Sequence, residues 1–82
     1  MQKRPVVSGE KLVTVLSRLG YRIIRQRGSH VRLRKPTVAG DHNITVPLHD
    51  ELAKGTLNDI LSDVSIWNGI SEDALIEMLE ES

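Results

Sequence analysis

The feature that most constrains this chain is a change of apolar period at Gly20. Before it, Leu12, Val15, Leu16 and Leu19 fall at i, i+3, i+4 and i+7, the spacing that lines one side of an α-helix. Beyond it the helical period is gone. Val31 and Leu33 alternate with His30, Arg32 and Arg34, and Ile44 and Val46 alternate with Asn43 and Thr45. A period of two puts the apolar members of a strand on one face and the polar members on the other. A chain that opens with an amphipathic helix and continues into half-apolar strands must lay the helical stripe on the apolar face of a sheet, which defines an α+β layered fold.

Local signals set the boundaries. Ser8 suits an N-cap and Gly20 a C-terminal glycine cap for the first helix. The stretch Tyr21 to Arg27 reads as a strand, with adjacent Ile23 and Ile24 leaving open which parity faces the core. Gly28-Ser29 suits the two-residue turn of a hairpin, glycine supplying the positive φ of a type II′ turn. The segment KPTVAGDH reads as a loop because it carries Pro36 and Gly40, and it returns the chain to a third strand that Pro47 ends. PLHDELAKG reads as an irregular polar connection or a single turn. Thr56 to Asp59 resembles a capping box, and Leu57, Ile60, Leu61 and Val64 repeat the spacing of the first helix. Ser71 opens a third segment in which Leu75, Ile76, Met78 and Leu79 run between acids, expected to dock weakly or to serve a partner. The reading is a two-layer α-β-β-β-α sandwich with an extra short C-terminal helix. Residues 1–82 form a single domain, since 82 residues cannot support a second core. The open face of its sheet carries His30, Arg32 and Arg34.

Net charge is zero, but the average hides a separation. Residues 1–35 hold ten of the eleven Lys and Arg with one acid, a net of +9, whereas residues 36–82 hold Lys54 and ten acids, a net of −9. A cationic half of this density is the footprint of a polyanion binder. The chain has no cysteine, which excludes a disulfide framework or a thiolate metal site and makes cytoplasm the expected compartment. No stretch approaches the ~20 apolar residues of a membrane span.

The run VVSGEKLVTVLSRLGYRIIRQRGSHVRL, followed by HNITVPLH and KGTLNDIL, closely resembles the HicA-family (YcfA-like) toxins of type II toxin–antitoxin systems, over about residues 5–66. The resemblance implies a fold similar to double-stranded RNA-binding domains, cleavage of messenger RNA, and neutralisation by a HicB-type antitoxin in a complex that can reach higher order. It places the catalytic histidine of the Gly-Ser-His motif on His30.

The residues themselves agree with that chemistry. RNA carries its own nucleophile, the 2′-hydroxyl, so a ribonuclease needs a proton acceptor and charge stabilisation at phosphorus, with no cofactor and no metal. Histidine suits the first task, its ordinary pKa of about 6.5 lying near neutral pH. RNA contacts are expected from Arg25, Arg27, Gly28, Ser29, Arg32, Arg34 and Lys54, the glycine turn letting the backbone approach closely. His49, just past the third strand, is an auxiliary proton-donor candidate. Asp41 and His42 read as polar loop, and with His49 and Asp50 they match no metal-ligand spacing. The rival reading is a non-catalytic RNA-binding module using the same basic face. A third is an interaction protein acting through its acidic C-terminal helix.

Overall fold

In the computed structural model, which describes residues 6–81, the chain runs α1 (Gly9–Arg18), β1 (Arg22–Arg27), β2 (His30–Thr37), β3 (Gly40–Pro47), α2 (Lys54–Asn68) and α3 (Glu72–Glu81). The strands form one antiparallel sheet in the order β1-β2-β3. Val31 and Leu33 of β2 and Ile44 and Val46 of β3 are buried under the helices, against Leu12, Val15 and Leu16 of α1 and Leu57, Leu61 and Val64 of α2. The opposite face of the sheet is open, giving the expected α+β two-layer arrangement.

Both ends of α1 follow from the residues that flank it. Ser8 Oγ accepts from the Lys11 amide at 3.1 Å, capping the first turn. At the other end the Tyr21 amide reaches Leu16 O at 3.0 Å and the Gly20 amide reaches Ser17 O at 3.1 Å, with Gly20 at φ +105°. That pair of bonds is a Schellman motif, which glycine enters without a Cβ penalty. It also aims Tyr21 inward, where its ring is buried just before β1 begins.

The second hairpin is tighter than the expected loop. β2 and β3 pair through Pro36↔Asp41 and Thr37↔Gly40, leaving only Val38 and Ala39 as the turn. Thr37 closes it, its hydroxyl donating to Gly40 O at 2.7 Å and accepting from the Ala39 amide at 3.1 Å. Pro36 is tolerated because β1 pairs β2 only as far as Arg22↔Arg34. Beyond that point the side of β2 facing away from β3 has no partner, and a missing N–H there costs no ladder bond.

Two expectations for the C-terminal half need correction. α2 begins at Lys54 rather than at a Thr56 capping box, with Ala53 at the N-cap and no side-chain cap bond. Ala53 O accepts from the Leu57 amide at 2.9 Å, so the helix starts one turn earlier than the sequence signal. α3 does not dock weakly. Ser71 caps it through the Ala74 amide at 3.1 Å, and Leu75, Ile76 and Leu79 are buried in the same core as the sheet. Each such side chain contributes about 1.5–3 kcal/mol, so together they rival the whole stability of a small domain, about 5–15 kcal/mol.

The connection after β3 is held at the start of α1. The Gly9 amide donates to His49 O at 2.9 Å, and Leu52 N donates to Val7 O at 2.8 Å. A Cβ on Gly9 would stand 2.0 Å from Pro47 O and 2.8 Å from Leu48 Cα, a backbone approach that only glycine permits. Gly55, in the first turn of α2, faces nothing within 4 Å. The two helical glycines therefore respond oppositely to alanine. Gly9→Ala is expected to destabilise by about 1–3 kcal/mol through overpacking. Gly55→Ala is expected to be neutral or to stabilise by up to about 1 kcal/mol. Urea unfolding of the two variants checks the signs.

Candidate active site and nucleic-acid interface

The open face is organised by one irregularity in β1. Arg22 and Arg25 are an odd number of residues apart, so a regular strand would send them to opposite faces. The register shifts between Ile23 and Arg25, a β-bulge that absorbs Ile24. With the extra residue taken up, Arg22 lies opposite Arg34, Arg25 opposite Arg32 and Arg27 opposite His30. β3 continues the rows with Asn43 opposite Arg34, Thr45 opposite Arg32 and Pro47 opposite His30. The parity left open by Ile23 and Ile24 is thereby settled, and no residue of β1 is buried.

Arg25, Arg27, His30, Arg32 and Thr45 line a shallow depression on this face. His30 is the first residue of β2, directly after the turn in which Gly28 has φ +54° and Ser29 does not have a positive φ, as a type II′ turn requires. Ser29 O accepts from the Leu48 amide, which ties the turn to the connection after β3. The turn is thus fixed on the side of β3, while Gly28 stays open with nothing near the position of a Cβ. Among the described residues the guanidinium groups of Arg25, Arg27 and Arg32 have no hydrogen-bond or ion-pair partner, and all three residues are exposed. Arg34 differs, since its Nε donates to Asn43 Oδ1 at 2.9 Å across the strands.

The structure brings together Arg25, Arg27, His30 and Arg32 from the sequence-derived set, and adds Thr45, whose outward parity was the available signal. Arg34 lies on the same face but outside the depression. His49 and Lys54 are exposed and do not line it.

His42 is the residue that sequence reasoning misplaced. It is not loop but the third residue of β3, only 3% exposed, with its ring stacked on Trp67 at 4.7 Å between centroids and 9° between planes. Tyr21 meets it edge-on at 5.7 Å. Lys35 Nζ donates to Asn68 Oδ1, which fixes the amide so that Nδ2 donates to the Tyr21 hydroxyl and to Val64 O, both at 2.9 Å. The Tyr21 hydroxyl, having accepted there, donates to His42 Nδ1 at 2.6 Å. In the neutral ring that leaves the proton on Nε2, which has no hydrogen-bond partner and lies 3.6 Å from Asp63 Oδ2. This chain of contacts clamps the end of α2 to the sheet, on the face opposite the arginines. No cluster of three or more His, Cys, Asp or Glu converges among the described residues.

Comparison with known families bears on this geometry. The family model described as HicA toxin of bacterial toxin-antitoxin matches residues 9–66, more than half of the chain. The chain belongs to the HicA toxin family. No curated protein matches it. The HicA match begins at Gly9, the glycine forced by close approach, and takes in the whole sheet and most of α2. Membership makes the protein a toxin of a toxin–antitoxin pair and implies an antitoxin partner. No helix among the described residues is long and apolar enough to cross a membrane.

The polar clamp yields a measurable titration. Burial raises the Tyr21 pKa above its ordinary 10.0, with Asp63 adding to the rise and the Asn68 hydrogen bond opposing it. A folded-state value above the unfolded one means the contribution is complete below the ordinary value and is lost as pH rises through the folded value. Tyr21 is the only tyrosine, so phenolate absorbance reads it alone. Its midpoint is expected above that of the unfolded chain, and stability should fall over the same alkaline range. Tyr21→Phe should abolish that fall while costing about 1–3 kcal/mol at neutral pH, because His42 Nδ1 loses its donor.

Proposed function

We propose that this toxin is a metal-independent endoribonuclease that cuts messenger RNA on the open face of its sheet, with His30 as general base. The observation that carries the reading is the depression in which one imidazole stands among three unpaired guanidinium groups. An RNA strand laid across β1, β2 and β3 would have its phosphates near Arg25, Arg27 and Arg32. His30 takes the proton of a ribose 2′-hydroxyl, and the resulting oxygen attacks the adjacent phosphorus. Guanidinium groups neutralise the charge that develops on the phosphorane, where fixed donors act most strongly. The bond to the 5′-oxygen then breaks, and that oxygen takes a proton from water at the open face. The products are a 2′,3′-cyclic phosphate and a 5′-hydroxyl.

Arg34, held by Asn43, contributes to the potential of the face rather than to the reacting phosphate. Gly28 and Ser29 form the rim over which the strand passes, and Lys54 adds a distant phosphate contact. A HicB-type antitoxin silences the enzyme in the cytoplasm by covering the His30 face. The family membership, the alternation of β2 and the clustering of cations around His30 all support this reading.

His30→Ala is expected to lower single-turnover cleavage by about 10²- to 10⁴-fold while leaving affinity for an uncleavable 2′-O-methyl RNA nearly unchanged. Wild-type cleavage should persist in a chelator and yield cyclic phosphate ends. A variant that cuts at the wild-type rate would remove His30 from the mechanism. Binding by the wild type with no cleavage would make the protein an RNA-binding module.

A further inference from the structure

The helix layer stops short of β1. Across the ladder from Leu33, which is fully buried, Ile23 is 54% exposed, and its neighbour Ile24 is 43% exposed. All six residues of β1 are exposed, and among the described residues its outer edge has no strand beside it. β3 is also an edge, but its inward side chains are buried and its end is covered by α1 at Gly9. The sheet is therefore one strand short on the side where apolar residues and arginines stand together.

We infer that the free edge of β1 accepts an extended, acidic segment of a partner protein as a fourth antiparallel or parallel strand. Charge selects the occupant. Arg22, Arg25 and Arg27 share the outer face of β1, so a strand alternating acidic and apolar residues would set carboxylates beside the guanidinium groups and an apolar side chain beside Ile23. A second copy of the chain fits poorly, since pairing β1 with β1 would oppose arginine to arginine. Gln26 supplies the docking amide. Arg27 and His30 flank a two-residue turn and bond to each other, so the Gln26 N–H points to the free edge. The bound carboxylates would lie beside Arg25 and Arg27, and RNA would be displaced; that consequence rests on the ribonuclease reading, whereas the docking does not.

The probe is an end-capped peptide alternating glutamate and valine, titrated into the full chain and followed by amide NMR. Saturable shifts confined to β1 and slowed exchange at the Gln26 amide are expected. A lysine–valine counterpart should not bind, nor should a glutamate peptide of equal charge interrupted by proline. Gln26→Pro removes the outward donor while leaving the bonds to β2, and should weaken binding at least about tenfold, or 1.4 kcal/mol. Its circular dichroism and RNA cleavage, expected unchanged, separate loss of docking from loss of fold. Ile23→Ser, which removes the apolar contact without changing the charge, should weaken binding as well. Equal binding of the proline-interrupted peptide, shifts centred on β3 or α3, or concentration-dependent protection of Gln26 without peptide would each overturn the inference. RNA cleavage by the wild type is read separately, so either result leaves the ribonuclease question to its own assay.

Discussion

The alternation of β2 is the constraint on which the remainder of this molecule depends. Among the described residues it is the only strand with a partner on both sides, so its backbone bonds fix the register of the sheet. Because its side chains alternate, one register commits Val31 and Leu33 to the helices and His30, Arg32 and Arg34 to solvent. A slip of one residue would bury three charged or polar side chains and expose the centre of the core, a cost far beyond the stability of a small domain. The site and the core are thus specified by the same hydrogen bonds. That coupling gives a small protein a rigid polar surface without a cleft.

Polar groups occur on both faces but do opposite work. On the inner face Lys35, Asn68, Tyr21 and His42 are joined in one hydrogen-bonded chain that leaves His42 Nε2 without a partner, and Trp67 stacks over His42. On the outer face Arg25, Arg27 and Arg32 are left without partners among the described residues. A hydrogen-bonded network rigidifies, whereas unpaired cations retain their donors for a ligand. Histidine serves both faces, and burial and partners, not residue type, distinguish His42 from His30. The charge separation of the sequence follows the same division, with the cationic half concentrated in the strands of the open face and the acids prominent in α2 and α3.

Legibility of the sequence followed the length and purity of each periodic run. α1 was legible end to end because its stripe and both caps agree. The inward residues of α2 and the outward set of β2 were legible for the same reason. The β2–β3 turn was not, because Pro36 and Gly40 signal a loop locally, while the absence of β1 beyond Arg34 makes a proline harmless there. Continuing the alternation back from Ile44 would have placed His42 inside, and continuing it forward from Leu33 would have placed Lys35 beside it. The bulge at Ile24 has no local signature beyond the two adjacent isoleucines; only pairing with β2 decides it. α3 was legible as a helix, but its burial depends on a core surface that no local pattern reveals.

The central claim is that substrate lies on the outer face of β2 with its ribose at His30. Mapping of amide and side-chain NMR shifts during titration with a short RNA, carrying a single 2′-deoxy residue to block cleavage, tests that placement directly. The account predicts perturbations concentrated at Arg25, Arg27, His30, Arg32 and Thr45, with the helices silent. Shifts centred on α2 and α3, with the His30 imidazole unaffected, would contradict it.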